Sequence, residues 1–144
     1  MTEYTIKPLG PDTWDDFARL IERQGSGSMG APFCWCINFH APDPNDDRSP
    51  EGRRAYKEQL VCQGRAHAAL VFDGDLAVGW CQYGSPEELP GIHHRKDYEA
   101  GLVQLPDYRL TCIYVDKAYR KRGVAAAALR GALDLIAASG GGRV

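Results

Sequence analysis

Tyr108-Arg109-Leu110-Thr111-Cys112-Ile113-Tyr114-Val115, then Asp116-Lys117-Ala118-Tyr119, then Arg120-Lys121-Arg122-Gly123-Val124-Ala125-Ala126: this stretch decides how the chain folds. Its first eight residues are rich in β-formers and predict a strand. Val124 to Ser139 predicts a helix, with Leu129, Leu133 and Ile136 on one face and an Arg130–Asp134 pair on another. A basic turn closed by glycine joins the two. A helix N-terminus presents N–H groups without intrahelical partners and a partial positive charge, which suits an anion. Gly123 lets a ligand come close to the backbone, and Ala125 is too small to block it. Arg120, Lys121 and Arg122 can add charge-assisted bonds to phosphate. The helix dipole alone contributes about 0.3–2 kcal/mol, so N–H groups and cations must act together. Pyrophosphate binding is the task these residues suit.

Upstream, Ala66 to Phe72 and Leu76 to Tyr83 flank Asp73-Gly74, the sequence of a tight hairpin turn. Ser49-Pro50-Glu51 opens a helix with a cap, a first-position proline and an acid in the first turn. Tyr56, Leu60 and Val61 supply its buried stripe and Gly64 its stop. An earlier helix opens at Pro11-Asp12 and buries Trp14, Phe17, Ala18 and Ile21, with Asp15 and Asp16 early and Arg19 and Arg23 late. Gly25-Ser26-Gly27-Ser28 ends it. Thr2 to Leu9 alternates around Tyr4 and Ile6 and predicts a short first strand. Residues 29–48 and 84–106 are long connections. The expected order is β-α-α-β-β-β-α, with no internal repeat or linker.

At 144 residues the chain fits one domain with a single core. The net charge of −2 argues against a nucleic-acid partner, which calls for a basic face. No apolar run approaches the roughly 18 residues of a membrane span, and the first residues carry no signal-peptide pattern. Five scattered cysteines form no disulfide framework and suit a reducing cytosol, so a cytoplasmic protein is expected.

Two familiar phosphate loops are excluded: there is no G-x-x-x-x-G-K-[ST], and no G-x-G-x-x-G after a strand. The turn does resemble [Q/R]-x-x-G-x-[G/A], the pyrophosphate signature of the GNAT superfamily, as Arg120, Gly123 and Ala125. Its place between a strand and a helix, after the β-α-α-β-β order, extends the resemblance over essentially all of residues 1–144. The resemblance implies an α/β (α+β) fold with a mixed, mostly antiparallel sheet flanked by helices. It also implies that the final strands are missing, so that 1–144 is a single acyl-CoA-binding domain, incomplete at its C-terminus. The exposed strand edge that this would leave invites self-association.

The resemblance further implies acetyl-CoA as co-substrate and an amine acceptor on a small molecule or protein. Backbone groups of Ile113, Tyr114 and Val115 would bind pantetheine. The turn of Arg120, Lys121, Arg122, Gly123, Val124, Ala125 and Ala126 would hold the pyrophosphate. A backbone N–H of the fourth strand, at Val115 or a neighbour, would serve the oxyanion. In that family the acid is often a tyrosine on the helix after the fifth strand; the sequence ends before that helix, so no such residue is assigned. Base candidates are Asp107, Glu99, His93 and His94, none at a diagnostic spacing, so no catalytic residue is assigned. The alternative is a coenzyme A-binding module or inactive fragment without catalysis.

Phe33-Cys34-Trp35-Cys36-Ile37-Asn38-Phe39 alternates, and it falls where this family builds its acceptor pocket. Cys34, Cys36 and His40 fall short of a structural zinc site, which wants four ligands at wider spacing, so no metal is expected. His93-His94-Arg95-Lys96 reads as a solvated basic loop.

Overall fold

The computed structural model describes residues 3–25, 35, 37, 39–47, 49–91 and 106–144. The order is β1 (Thr5–Pro8), α1 (Trp14–Gly25), α2 (Pro50–Cys62), β2 (His67–Asp73), β3 (Leu76–Gly84), β4 (Arg109–Val115), a 3-10 turn (Lys117–Tyr119) and α3 (Val124–Ala138). This is the sequence-derived order. The four strands pair antiparallel as β1-β2-β3-β4. Pro8 is tolerated because β1 lies at the sheet's edge, where a missing N–H costs no ladder bond.

α1 begins at Trp14, later than the expected Pro11-Asp12, because Thr13 organises the turn before it. The Thr13 hydroxyl accepts from Gly10 N–H at 2.9 Å and donates to the Pro8 carbonyl at 2.8 Å. Its carbonyl then takes the Phe17 N–H at 3.1 Å, the first bond of the helix. α2 begins where its cap predicts: Ser49 Oγ accepts from Gly52 N–H at 3.0 Å. Gly74 turns the β2–β3 hairpin at φ +61°.

α1 and α2 cover one face of the sheet. Phe17, Leu20 and Ile21 of α1 and Tyr56, Leu60 and Val61 of α2 pack with Leu70, Phe72 and Trp80. α3 covers the other face, laying Val124, Ala128, Ala132 and Ile136 on Ala69, Val71, Val78 and Cys81. This corrects the expected face of the last helix in part: Ile136 is buried, but Leu129 is 37% and Leu133 42% exposed. α3 lies so close to the sheet that small residues must face it. A Cβ on Gly131 would stand 2.8 Å from Ile6, and one on Gly79 would stand 2.6 Å from Val124. Arg130 and Asp134 are both exposed, and no ion pair joins them among the described residues. Water competes for two such charges, and pairing them contributes only a few tenths of a kcal/mol.

β4 is irregular in one place. Gln82 faces Cys112 and Tyr83 faces Leu110, so Thr111 has no partner across the ladder. This is a β-bulge, which adds local twist to the strand. After α3 the chain returns to the start of β4. Arg143 carbonyl accepts from Asp107 N–H at 2.8 Å and from Tyr108 N–H at 3.0 Å.

Candidate functional site

Gly123 occupies the N-cap position of α3 at φ +80°, a left-handed conformation that costs glycine nothing. No side chain caps this end, and a Cβ at Gly123 would meet nothing within 4 Å. Ala127 N–H is bonded to the Gly123 carbonyl. The earlier N–H groups, of Val124, Ala125 and Ala126, therefore lie in the first turn, where a helix has no acceptors of its own. Val124 is buried and can offer a ligand only its backbone, whereas Ala125 and Ala126 are exposed. Arg120, Lys121 and Arg122 are all exposed beside this turn, and Lys121 is itself left-handed at φ +62°.

The turn is held from several sides. Tyr4 hydroxyl donates to the Arg122 carbonyl at 3.0 Å. Arg122 sits over the Tyr119 ring at 5.1 Å, and Tyr119 hydroxyl donates to Asp73 at 2.8 Å. Asp116, buried at the end of β4, accepts from Arg23 of α1 at 2.7 Å and from Ala118 N–H at 2.9 Å. Burial pushes the Asp116 carboxyl up, but hydrogen bonds from Arg23 and Ala118 outweigh it and hold the group below the usual carboxylate range. Gln24 adds a further tie, accepting from Lys117 N–H at 3.0 Å and from Tyr114 hydroxyl at 3.2 Å. These bonds tie the turn to Tyr4, Asp73 and Arg23.

Of the other residues expected in the site, Ile113 is 45% exposed on β4, the last strand of the sheet. Tyr114 turns its ring to the opposite face and stacks on Trp80 at 4.9 Å. Val115 packs on the α3 side. The three follow one another on the strand that feeds the turn.

Asp107 is already engaged: its carboxylate accepts from Arg143 N–H at 2.9 Å. Glu99, His93 and His94 lie outside the described residues, as do Arg95, Lys96, Cys34 and Cys36. His40 is described, and both its ring nitrogens are occupied. Nδ1 donates to the Glu88 carbonyl at 3.2 Å, and Nε2 lies 3.0 Å from Lys57 Nζ. A carbonyl can only accept, so the proton sits on Nδ1 and Nε2 accepts from the ammonium. Burial, then the Lys57 charge, drives His40 down to about 3. His40 also lines a cavity of about 320 Å³ with Ile37, Asp43, Asp46, Asp47 and Arg53.

Sequence reasoning missed one pair. His67 donates from Nδ1 to Glu88 Oε1 at 2.7 Å, and this bond raises the His67 pKa. Glu88 Oε2 is buried without a partner among the described residues. His67 pairs with Tyr83, which pairs with Leu110, so it stands two strand spacings, about 10 Å, inside β4. It is not placed to touch a ligand on the outer edge. Nothing in the sequence joins residues 67 and 88, because a turn at Ser85–Glu88 brings them together.

A profile of the acetyltransferase (GNAT) family matches residues 35–144. The chain belongs to that family. The fold is shared with solved N-acetyltransferases. One is aminoglycoside N-acetyltransferase AAC(6')-Iy in complex with CoA, at TM-score 0.58 and 16% identity over 98% of this chain and 74% of that one. Another is ribosomal-protein-alanine N-acetyltransferase from Brucella melitensis biovar Abortus 2308, at TM-score 0.53 and 19% identity over 93% and 73%. A GCN5-related N-acetyltransferase from Ralstonia eutropha JMP134 superposes at TM-score 0.53 with 17% identity, over 96% and 78%. No curated protein sequence matches the chain. The family is one of acetyltransferases, so the chain is a GNAT acetyltransferase domain. No helix among the described residues is long and apolar enough to cross a membrane.

Proposed function

We propose that the protein transfers an acetyl group from acetyl-CoA to a primary amine of a small molecule or protein. The observation that carries this reading is the uncapped N-terminus of α3, where Gly123 leaves the first-turn N–H groups of Val124, Ala125 and Ala126 open. Arg120, Lys121 and Arg122 flank it, so the diphosphate of coenzyme A meets N–H donors and cations together. The pantetheine arm lies against backbone groups of Ile113, Tyr114 and Val115, like an added strand. A backbone N–H of β4, farther from the turn than the pantetheine contacts, faces the carbonyl oxygen as charge develops on it.

Two measurements test this. Calorimetric titration with coenzyme A should give one site per chain that weakens as salt rises, since cations hold the phosphates. Acetyl-CoA with a panel of primary amines should release free thiol above the rate seen without amine. Binding without amine-dependent thiol release would reduce the protein to a coenzyme A-binding module. No binding at all would end the reading.

A further inference from the structure

Beneath the irregular point of β4 lies a chain of buried polar side chains that the anion site does not use. Lys57 of α2 is 1% exposed and Gln82 of β3 is 1% exposed, in a region otherwise packed with Tyr56, Leu60 and Trp80. Burying such groups is costly unless each is hydrogen-bonded. Here they are bonded in series. Lys57 Nζ donates to Gln82 Oε1 and to His40 Nε2, and Gln82 Nε2 donates to Thr111 Oγ1 at 3.0 Å. His40 closes the far end on the Glu88 carbonyl.

Thr111 is the residue that the β3–β4 ladder leaves over. A bulge is one of several ways two strands can be out of step, and a one-residue slip would reverse the facing of every side chain beyond it. Gln82 stands directly at the slip, since its own partner is Cys112 and its side chain reaches Thr111. Its amide is satisfied at both ends only while Thr111 occupies the bulge. A regular ladder would carry Thr111 to another position and leave the buried Gln82 amide N–H without the acceptor it has here. Such a loss costs more than an ordinary hydrogen bond contributes.

We infer that Lys57, Gln82 and Thr111 form a buried strut that locks the β4 bulge and thereby positions the outer edge of β4 for the acyl end of its ligand. The inference rests on the reading of β4 as the pantetheine edge. Gln82 is a positioning residue in this scheme. It touches no ligand, and it acts through the backbone of Thr111 and Cys112. The phosphate turn lies at the other end of β4 and is held by different groups, Asp116, Arg23 and Tyr119. Disturbing the strut should therefore loosen the acyl end and leave the phosphate end alone.

The test uses Thr111→Val, which keeps the shape and removes the acceptor, and Gln82→Leu, which removes the bridge. Amide hydrogen exchange of Leu110 to Ile113 should quicken by about tenfold in both, while exchange in β1 and β2 stays as in the parent. Affinity for acetyl-CoA should fall by about tenfold, and affinity for adenosine 3′,5′-bisphosphate, which reaches only the turn, should not change. Gln82→Glu should restore both, because a carboxylate still accepts from Lys57 and from the Thr111 hydroxyl. Faster exchange spread over the whole sheet would overturn the strut, as would an equal weakening of both ligands. If Gln82→Leu fails to fold, Thr111→Val decides alone. If acetyl-CoA does not bind the parent protein, the acyl-CoA reading falls. The exchange pattern then still says whether the strut holds the bulge.

Discussion

At the start of α2, Ser49 Oγ accepts from Gly52 N–H at 3.0 Å, Pro50 has no N–H to leave open, and Glu51 faces the dipole. Asp47 backs the cap by accepting from Ser49 hydroxyl at 2.6 Å. At the start of α3, Gly123 brings no side chain, the first turn has no acid, and three cations stand outside it. Both helices meet the same problem, unsatisfied N–H groups and a partial positive charge. One solves it with its own residues and the other does not. A cap contributes about 1 kcal/mol, so an uncapped end beside added positive charge forgoes stability that an incoming anion can return.

The largest effect should come from filling the open end. Gly123→Asp puts a side chain at φ +80° and a negative charge where phosphate must come. It should cut coenzyme A affinity by about a hundredfold or more, the loss of one or two charge-assisted bonds, with helical circular dichroism unchanged. Equal calorimetric affinities in parent and variant would erase the contrast between the two ends.

The surroundings of α2 should show a pH dependence that owes nothing to ligand. His40 faces Lys57 and the Glu88 carbonyl, with Arg65 also near, and is held at about 3 against an ordinary 6.5. Between these values the unfolded chain binds a proton that the folded chain refuses. Stability is therefore full above about pH 6.5 and declines as pH falls toward 3, with a slope of at most about 1.4 kcal/mol per unit. Urea unfolding between pH 4 and 7 should show this slope, and His40→Gln should flatten it.

Removing the closed cap is a smaller change. Ser49→Ala should lower the unfolding free energy by about 1 kcal/mol and leave coenzyme A affinity as it was. A loss of affinity here would mean that the α2 end also serves the ligand. Smallest of all, Leu133→Gln on the outward face of α3 should shift stability by less than about 0.5 kcal/mol. A larger loss in chemical denaturation would show that this face is covered in solution.

Much of this was legible from residue order. The α2 cap, the Asp73-Gly74 hairpin and the strand, basic glycine turn and helix over 108–139 all rest on local chemistry between residues a few positions apart, and each formed where expected. The face of α3 was misread in part. Large residues usually mark the buried stripe, but Gly79 and Gly131 draw the helix close enough that alanines fill it. The N-terminus of α1 moved for a related reason, since Thr13 bonds backward to Pro8 as well as to Gly10.

By itself the sequence determined the order of elements, the family, and the open, basic helix start, because glycine conformations, caps and hydrophobic periods act over short distances. Only the tertiary structure decided which distant residues stand together. Arg23 meets Asp116 across 93 positions, His67 meets Glu88, and Lys57 reaches Thr111 through Gln82. A buried polar group must find a partner, but its own neighbourhood in the chain does not say which one. The packing of α2 on the sheet supplies that answer, and with it the support beneath the proposed acyl edge.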